Sequence, residues 1–137
     1  MLMAEFATAV RYKLPIKVVV ISNGTLGQIK WEQMVFLGNP EFGCDLHPID
    51  FAKFAEACGG HGFRIENPKD CGAILDQALA IDGPVLIDAI VDKQEPPLPA
   101  KIEFEQAKHF AVSMARGEKY RSSIIKTIAK DRIKEMV

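Results

Sequence analysis

Cysteine is scarce in this chain: only Cys44, Cys58 and Cys71 occur in 137 residues. An odd number of well-separated cysteines suits neither a disulfide framework nor a paired zinc knuckle, so a reducing, cytoplasmic setting is the expectation. Long hydrophobic runs are also missing. No stretch approaches the ~20 apolar residues of a membrane span. The run over residues 16–21, after Arg11 and Lys13, is too short for a signal peptide and lacks a small-residue cleavage site. Nor is there a surplus of one charge. A net charge of -1 and a pI near 6.3 leave no electrostatic footprint for nucleic acid. A soluble protein with no nucleic-acid partner is expected.

What the chain does have is apolar content, 48% of its residues, enough for one compact core. Residues 3–13 place Met3, Phe6, Ala7 and Val10 on one helical face, and Leu14-Pro15 stops the helix. "IKVVVIS" reads as a strand covered on both faces, the mark of a parallel sheet between helices. Residues 26–36 read as a helix with Leu26, Ile29, Gln33 and Phe36 along one side, followed by the loop "LGNPEFGCDLHP". Asp50 caps "FAKFAEAC", where Phe51, Phe54, Ala55 and Cys58 share a face before Gly59-Gly60. "GFRIE" is a short strand. Asn67 then caps a helix opened by Pro68, with Cys71, Ile74, Leu75, Ala78 and Leu79 as its stripe, and "PVLIDAIV" closes the series. The order α-β-α-α-β-α-β over residues 1–91 predicts an α/β three-layer sandwich with a mainly parallel sheet.

Residues 92–101, rich in proline, read as an extended strap, and residues 102–137 as a helical extension. Its first helix aligns Phe104, Ala107, Ala111 and Met114. Residues 116–137 hold seven Lys/Arg against three Asp/Glu, so this stretch carries +4 and the rest of the chain -5. Ile124, Ile125, Ile128, Ala129 and Ile133 form a stripe flanked by lysine and arginine. Such a helix over residues 122–137 suits either packing on its own protein or peripheral contact with an anionic surface at the inner membrane face.

One stretch carries chemistry. In parallel sheets ligands gather beyond the carboxyl ends of the strands, and Ser22-Asn23-Gly24-Thr25 lies at such an end, directly before a helix. Asn23 offers a neutral carbonyl oxygen, Gly24 lets a peptide carbonyl turn to the same centre, and a helix N-terminus favours anions. A hard cation such as Mg²⁺ with a phosphate would suit this set, and an ordinary turn is the plain alternative. Cys58-Gly-Gly-His61 has metal-ligand types but no second pair, while His47 and His109 read as a surface and a packing residue.

"MLMAEFATAVRYKLPIKVVVISNGTLGQIKWEQ", "DFAKFAEACGGHGFRIENPKD", "AIDGPVLIDAIVDKQE" and "FEQAKHF" together resemble the C-terminal, diphosphate-binding domain of thiamine diphosphate-dependent enzymes. The nearest branch is pyruvate oxidase and quinone-linked pyruvate dehydrogenase, with acetolactate synthase a close relative. The family motif opens with Gly-Asp-Gly and closes with Asn-Asn, and only the closing half matches here. The resemblance therefore implies a domain truncated at its N-terminal side. It makes Asn23 and the Thr25 carbonyl Mg²⁺ ligands, with Ser22 in place of the first Asn. Gly24, Leu26, Gly27 and Gln28 would line the cofactor site. Glu32, nine residues past Asn23, matches the glutamate that the oxidase branch aims at the reaction centre. Gln28 stands where oxidases often carry an aromatic residue.

The implied parent chemistry is decarboxylation of a 2-oxo acid such as pyruvate, with electrons passed to FAD on another domain, in a homo-oligomer. The resemblance takes in neither a pyrimidine-binding nor a flavin domain, so it implies that this segment does not run that cycle alone. A carboligase of the acetolactate synthase type and a non-catalytic α/β association module are the alternatives.

Overall fold

The computed structural model describes residues 3–96 and 103–135, with side chains up to residue 130. The chain divides into two compact units: residues 1–23 with 48–91, and residues 24–47 with 92–137. The chain passes between them at three points. The Pro-rich stretch at 97–102, part of the expected strap, lies outside the described residues, as do Met1 and the side chains of Arg132, Ile133 and Lys134.

The first unit is the α/β layer structure that the alternating pattern predicts. It holds α1 (Glu5–Arg11), β1 (Lys17–Ser22), α3 (Phe51–Ala57), β2 (His61–Ile65), a 3₁₀ turn (Pro68–Asp70), α4 (Cys71–Ala80) and β3 (Val85–Ile90). The three strands form a parallel sheet in the order β1-β3-β2. Side chains alternate across β3. Leu86 joins Phe6 of α1 and Ala55 of α3 on one face, while Val85 and Ile87 join Ile65 and Ala78 of α4 on the other. The caps form as read: Asp50 accepts the Lys53 amide at 3.0 Å and Asn67 the Lys69 amide at 3.1 Å.

Two faces differ from expectation. Val18 and Val20 pack against the α1/α3 cluster, yet Val19 and Ile21 are exposed. The reason is position: β1 is an edge strand, and the α4 layer lies on β2 and β3. Leu79, in the last turn of α4, is exposed, as is Met3, which precedes the first helical turn.

The second unit is built on α2 (Gly27–Val35), α5 (Phe104–Ala115) and α6 (Arg121–Glu135). Its core is Trp31, Met34 and Val35 of α2 with Met114 and Ile124, flanked by Phe110, Tyr120 and Ile128. Trp31 stacks on Phe110 with ring centroids 6.0 Å apart. The buried face of α2 is therefore not the one its apolar spacing predicts: Leu26, Ile29 and Phe36 are exposed, and Lys30 lies inside. In α5 the inward residues are Ser113 and Met114 while Phe104 is exposed, and Glu103 with Gln106 forms a reciprocal capping box at its start. Ile124 of α6 is fully buried and Ile125 is exposed. No helix among the described residues is long and apolar enough to cross a membrane.

Candidate functional site

At the end of β1 the side chains form a buried polar network. Ser22 Oγ donates to Asp88 Oδ1 at 2.5 Å, and Arg64 Nη1 donates to Asp88 Oδ2 at 2.9 Å. Ser22, Asp88 and Arg64 belong to β1, β3 and β2, so one fully buried carboxylate ties all three strands near their carboxyl ends. The guanidinium satisfies a charge that would otherwise be costly inside the sheet. Asn23 follows directly, half-buried, as the last residue of the first unit.

Gly24 opens the second unit with φ +65°, and a Cβ there would meet nothing within 4 Å. The left-handed backbone, not lack of space, is what asks for glycine. Thr25 is buried and forms an isolated antiparallel bridge with Asp45. The flanking bonds run from the Leu26 amide to the Cys44 carbonyl at 2.8 Å and from the Leu46 amide to the Gly24 carbonyl at 3.0 Å. That pattern makes Thr25 and Asp45 a pair whose own amide groups point away from each other. The Thr25 carbonyl is thus turned to the side opposite the 44–46 loop, while its Oγ1 donates to the Cys44 carbonyl at 3.1 Å.

Leu26, exposed, stands at the N-cap of α2, where no side chain caps the helix. Gly27 is the first helical residue. Gln28 and Glu32 share the exposed face one turn apart, with Gln28 Nε2 donating to Glu32 Oε1 at 3.0 Å. The segment from Gly24 to Gln28 therefore has a Thr25 carbonyl turned from the 44–46 loop and the start of a nine-residue helix, with no Lys or Arg side chain, and Asn23 precedes it with an amide oxygen in its side chain. Neutral oxygen donors of this kind fit a hard divalent ion whose charge is balanced by a phosphate. Among the described residues no group of three or more His, Cys, Asp or Glu could hold a metal, so Cys58, His61 and His47 make no such cluster.

Sequence reading missed a charged assembly in the second unit. Lys30 is fully buried, with Glu41 Oε2 at 3.5 Å, a hydrogen bond to Gln94 Oε1, and the Tyr120 ring centroid 5.3 Å away. Burial holds its ammonium below the usual lysine range, against the opposing pull of Glu41 and Glu118. Asp45 lies between Lys119, at 2.5 Å, and Lys93, with Tyr120 Oη at 3.2 Å. Hydrogen bonds from Lys119 and then Lys93 hold its carboxyl well below the usual carboxylate range. The partners lie 48 to 75 residues apart in sequence, which is why spacing alone gave no sign of them.

Comparison with known proteins gives these residues a context. Residues 1–89 match the family described as "Thiamine pyrophosphate enzyme, C-terminal TPP binding domain". The putative thiamine pyrophosphate-containing protein YdaP of Bacillus subtilis is 41% identical over 117 residues, covering 85% of this chain and 20% of its own length. Pyruvate oxidase of Lactiplantibacillus plantarum is 36% identical, covering 83% of this chain and 19% of the relative. Chloroplastic acetolactate synthase 2 of Nicotiana tabacum is also 36% identical, over 69% of this chain and 16% of that protein. Among solved structures, the thiamine diphosphate-dependent 4-hydroxybenzoylformate decarboxylase of Rhodococcus jostii RHA1 superposes with a TM-score of 0.61 at 28% identity, covering 66% of this chain and 17% of that one. The chain thus spans a fifth or less of the length of these relatives.

Proposed function

The chain belongs to the family of C-terminal thiamine pyrophosphate-binding domains of thiamine pyrophosphate enzymes, and from that premise we propose that residues 23–28 hold the Mg²⁺ and diphosphate end of the cofactor. Asn23 supplies its amide oxygen and Thr25 its main-chain carbonyl to the ion. Gly24 gives the turn between them, Gly27 and Gln28 bring the first amides of α2 to the diphosphate, and Leu26, its own amide held by the Cys44 carbonyl, lines the site from the N-cap. The observation that carries this reading is the Thr25–Asp45 pairing, which turns the Thr25 carbonyl away from the loop that fixes it.

The cofactor supplies an electron sink for decarboxylation of a 2-oxo acid. Glu32, exposed on the same helix and hydrogen-bonded to Gln28, is the residue we assign to orienting the substrate or moving a proton at its carboxylate oxygens. Its place nine residues after Asn23 favours the pyruvate oxidase branch, with pyruvate as substrate and FAD as an acceptor held outside this segment. An acetolactate synthase-type carboligase is the second reading, since the 36% identity to the tobacco enzyme equals that to the oxidase and does not separate the two branches.

Titration of the purified chain with thiamine diphosphate and Mg²⁺ tests the binding reading. A ligand at 100 times its Kd raises stability by about 2.7 kcal/mol, read as a rise in Tm. Segment 23–29 has no cationic side chain, so either component alone is expected to give a far smaller shift than both together. No shift with both present would sink the reading that this chain holds the cofactor by itself.

A further inference from the structure

Thr25 is held in place by a loop that carries no regular secondary structure. Residues 44–46 make both bonds that flank it, and Cys44 accepts the Thr25 hydroxyl as well. That loop has two anchors. Cys44 is buried, and Gln33 bonds both the amide and the carbonyl of Phe42 just before it, at 2.7 and 3.1 Å. The second anchor is the Asp45 side chain, gripped by Lys93, by Lys119 at 2.5 Å and by Tyr120 Oη at 3.2 Å.

The grip is itself built. The ammonium groups of Lys93 and Lys119 lie 4.5 and 4.8 Å from the Tyr120 ring centroid, and Lys93 also reaches Tyr120 Oη at 3.1 Å. Lys119 pairs its charge with the buried Glu41 carboxylate 3.0 Å away, and Glu118 accepts the Glu41 amide at 2.8 Å. Two cations and a phenol are thus aligned on one carboxylate by a ring and a second acid, which reduces the side-chain entropy an isolated surface ion pair must overcome. The carboxylate they hold belongs to the residue directly opposite Thr25.

From this geometry we propose that the Lys93–Lys119–Tyr120 grip on Asp45 is a positioning device for the Thr25 carbonyl. The segment after residue 91, beyond the 89 residues that the family description matches, then tunes how tightly the divalent ion is held. The proposal rests on the cofactor reading above only for the identity of what Thr25 faces. Asp45 and its three partners act through the backbone of the loop, as outer groups that orient metal ligands do.

The test uses the 137-residue chain and its Asp45→Ala and Lys93→Met variants. Two quantities are read: amide hydrogen exchange at Leu26 and Leu46, and Mn²⁺ affinity in the presence of thiamine diphosphate by electron paramagnetic resonance. Both variants are expected to speed exchange at Leu26 and Leu46, with Val85 and Ile87 in the sheet unchanged, and to weaken Mn²⁺ by about tenfold. Lys93→Met leaves Lys119 and Tyr120 on Asp45 and serves where Asp45→Ala does not fold. Exchange at wild-type rates in a folded variant overturns the proposal, as does unaltered Mn²⁺ affinity. A wild-type chain that binds no Mn²⁺ with thiamine diphosphate sinks the cofactor reading instead, and the exchange rates still decide whether the grip holds Thr25.

Discussion

Lys30 sits on the inward face of α2 with no solvent contact, where a leucine would be the ordinary occupant. Burial of an ammonium is tolerated only where its charge and protons are met. Glu41, Gln94 and the faces of Trp31 and Tyr120 meet them here. Because burial lowers the folded pKa, the unfolded chain binds more protons just below the ordinary lysine value of 10.5. By linkage the Lys30 penalty is fully present below the folded pKa and shrinks as pH rises from there toward 10.5. The group that keeps the penalty small is Glu41, itself buried and shared with Lys119. Removing one partner of a buried pair leaves the other uncompensated. Glu41→Ala is therefore expected to lower stability by about 3–5 kcal/mol in urea unfolding. The double variant Lys30→Met/Glu41→Leu, which removes both charges and keeps volume, should lose clearly less. An equal loss in the two proteins would show that packing volume, not charge, sets the cost.

At the scale of elements, β2 and α3 approach each other closely at Gly62. A Cβ added to Gly62 would lie 2.1 Å from the Ala52 carbonyl oxygen and 2.8 Å from its Cα. Those are backbone atoms, so the helix as a whole must move. Gly62→Ala is expected to cost ~3 kcal/mol, the upper end for overpacking, with loss of exchange protection in α3 and β2. Wild-type stability in that variant would mean that α3 shifts freely on the sheet. The order of these elements was legible in the sequence because each is punctuated locally: Asp50 and Asn67 cap, Gly59-Gly60 stops, and the valine run has no helical period. Which face of each element is buried was less so. The apolar spacing of α2 pointed to Leu26, Ile29 and Phe36, whereas tertiary ion pairing takes Lys30 inside and leaves those three exposed. In β1 a continuous run of valine and isoleucine promised two covered faces, and an edge position covers one. For the candidate site, the Asn23–Thr25 turn was readable from residue types, while the Asp45 grip was not, since it joins residues dozens of positions apart.

For the molecule as a whole, the two units do not follow the chain in sequence. Residues 24–47 belong with 92–137, so α2 and its loop are inserted between β1 and α3 yet packed against α5 and α6. The family match ends at residue 89, and a fragment cut just beyond it, at Val91, keeps every element of the sheet unit while removing the partners of α2. Trp31, Met34 and Val35 would lose Met114, Ile124, Phe110 and Tyr120, and Lys30 would lose Gln94 and Glu118. A single helix of nine residues with a buried lysine has too little of its own to stay folded, since helices shorter than ~12–15 residues are marginal without packing. Trp31 is the only tryptophan, so its emission reports on this unit alone. A chain ending at Val91 is expected to show red-shifted, solvent-exposed Trp31 fluorescence while far-ultraviolet circular dichroism still records the α/β unit. Emission as blue as that of the full chain would mean that α2 and the 41–46 loop hold their shape without residues 92–137. The Asn23–Thr25 turn would then be independent of the segment that grips Asp45.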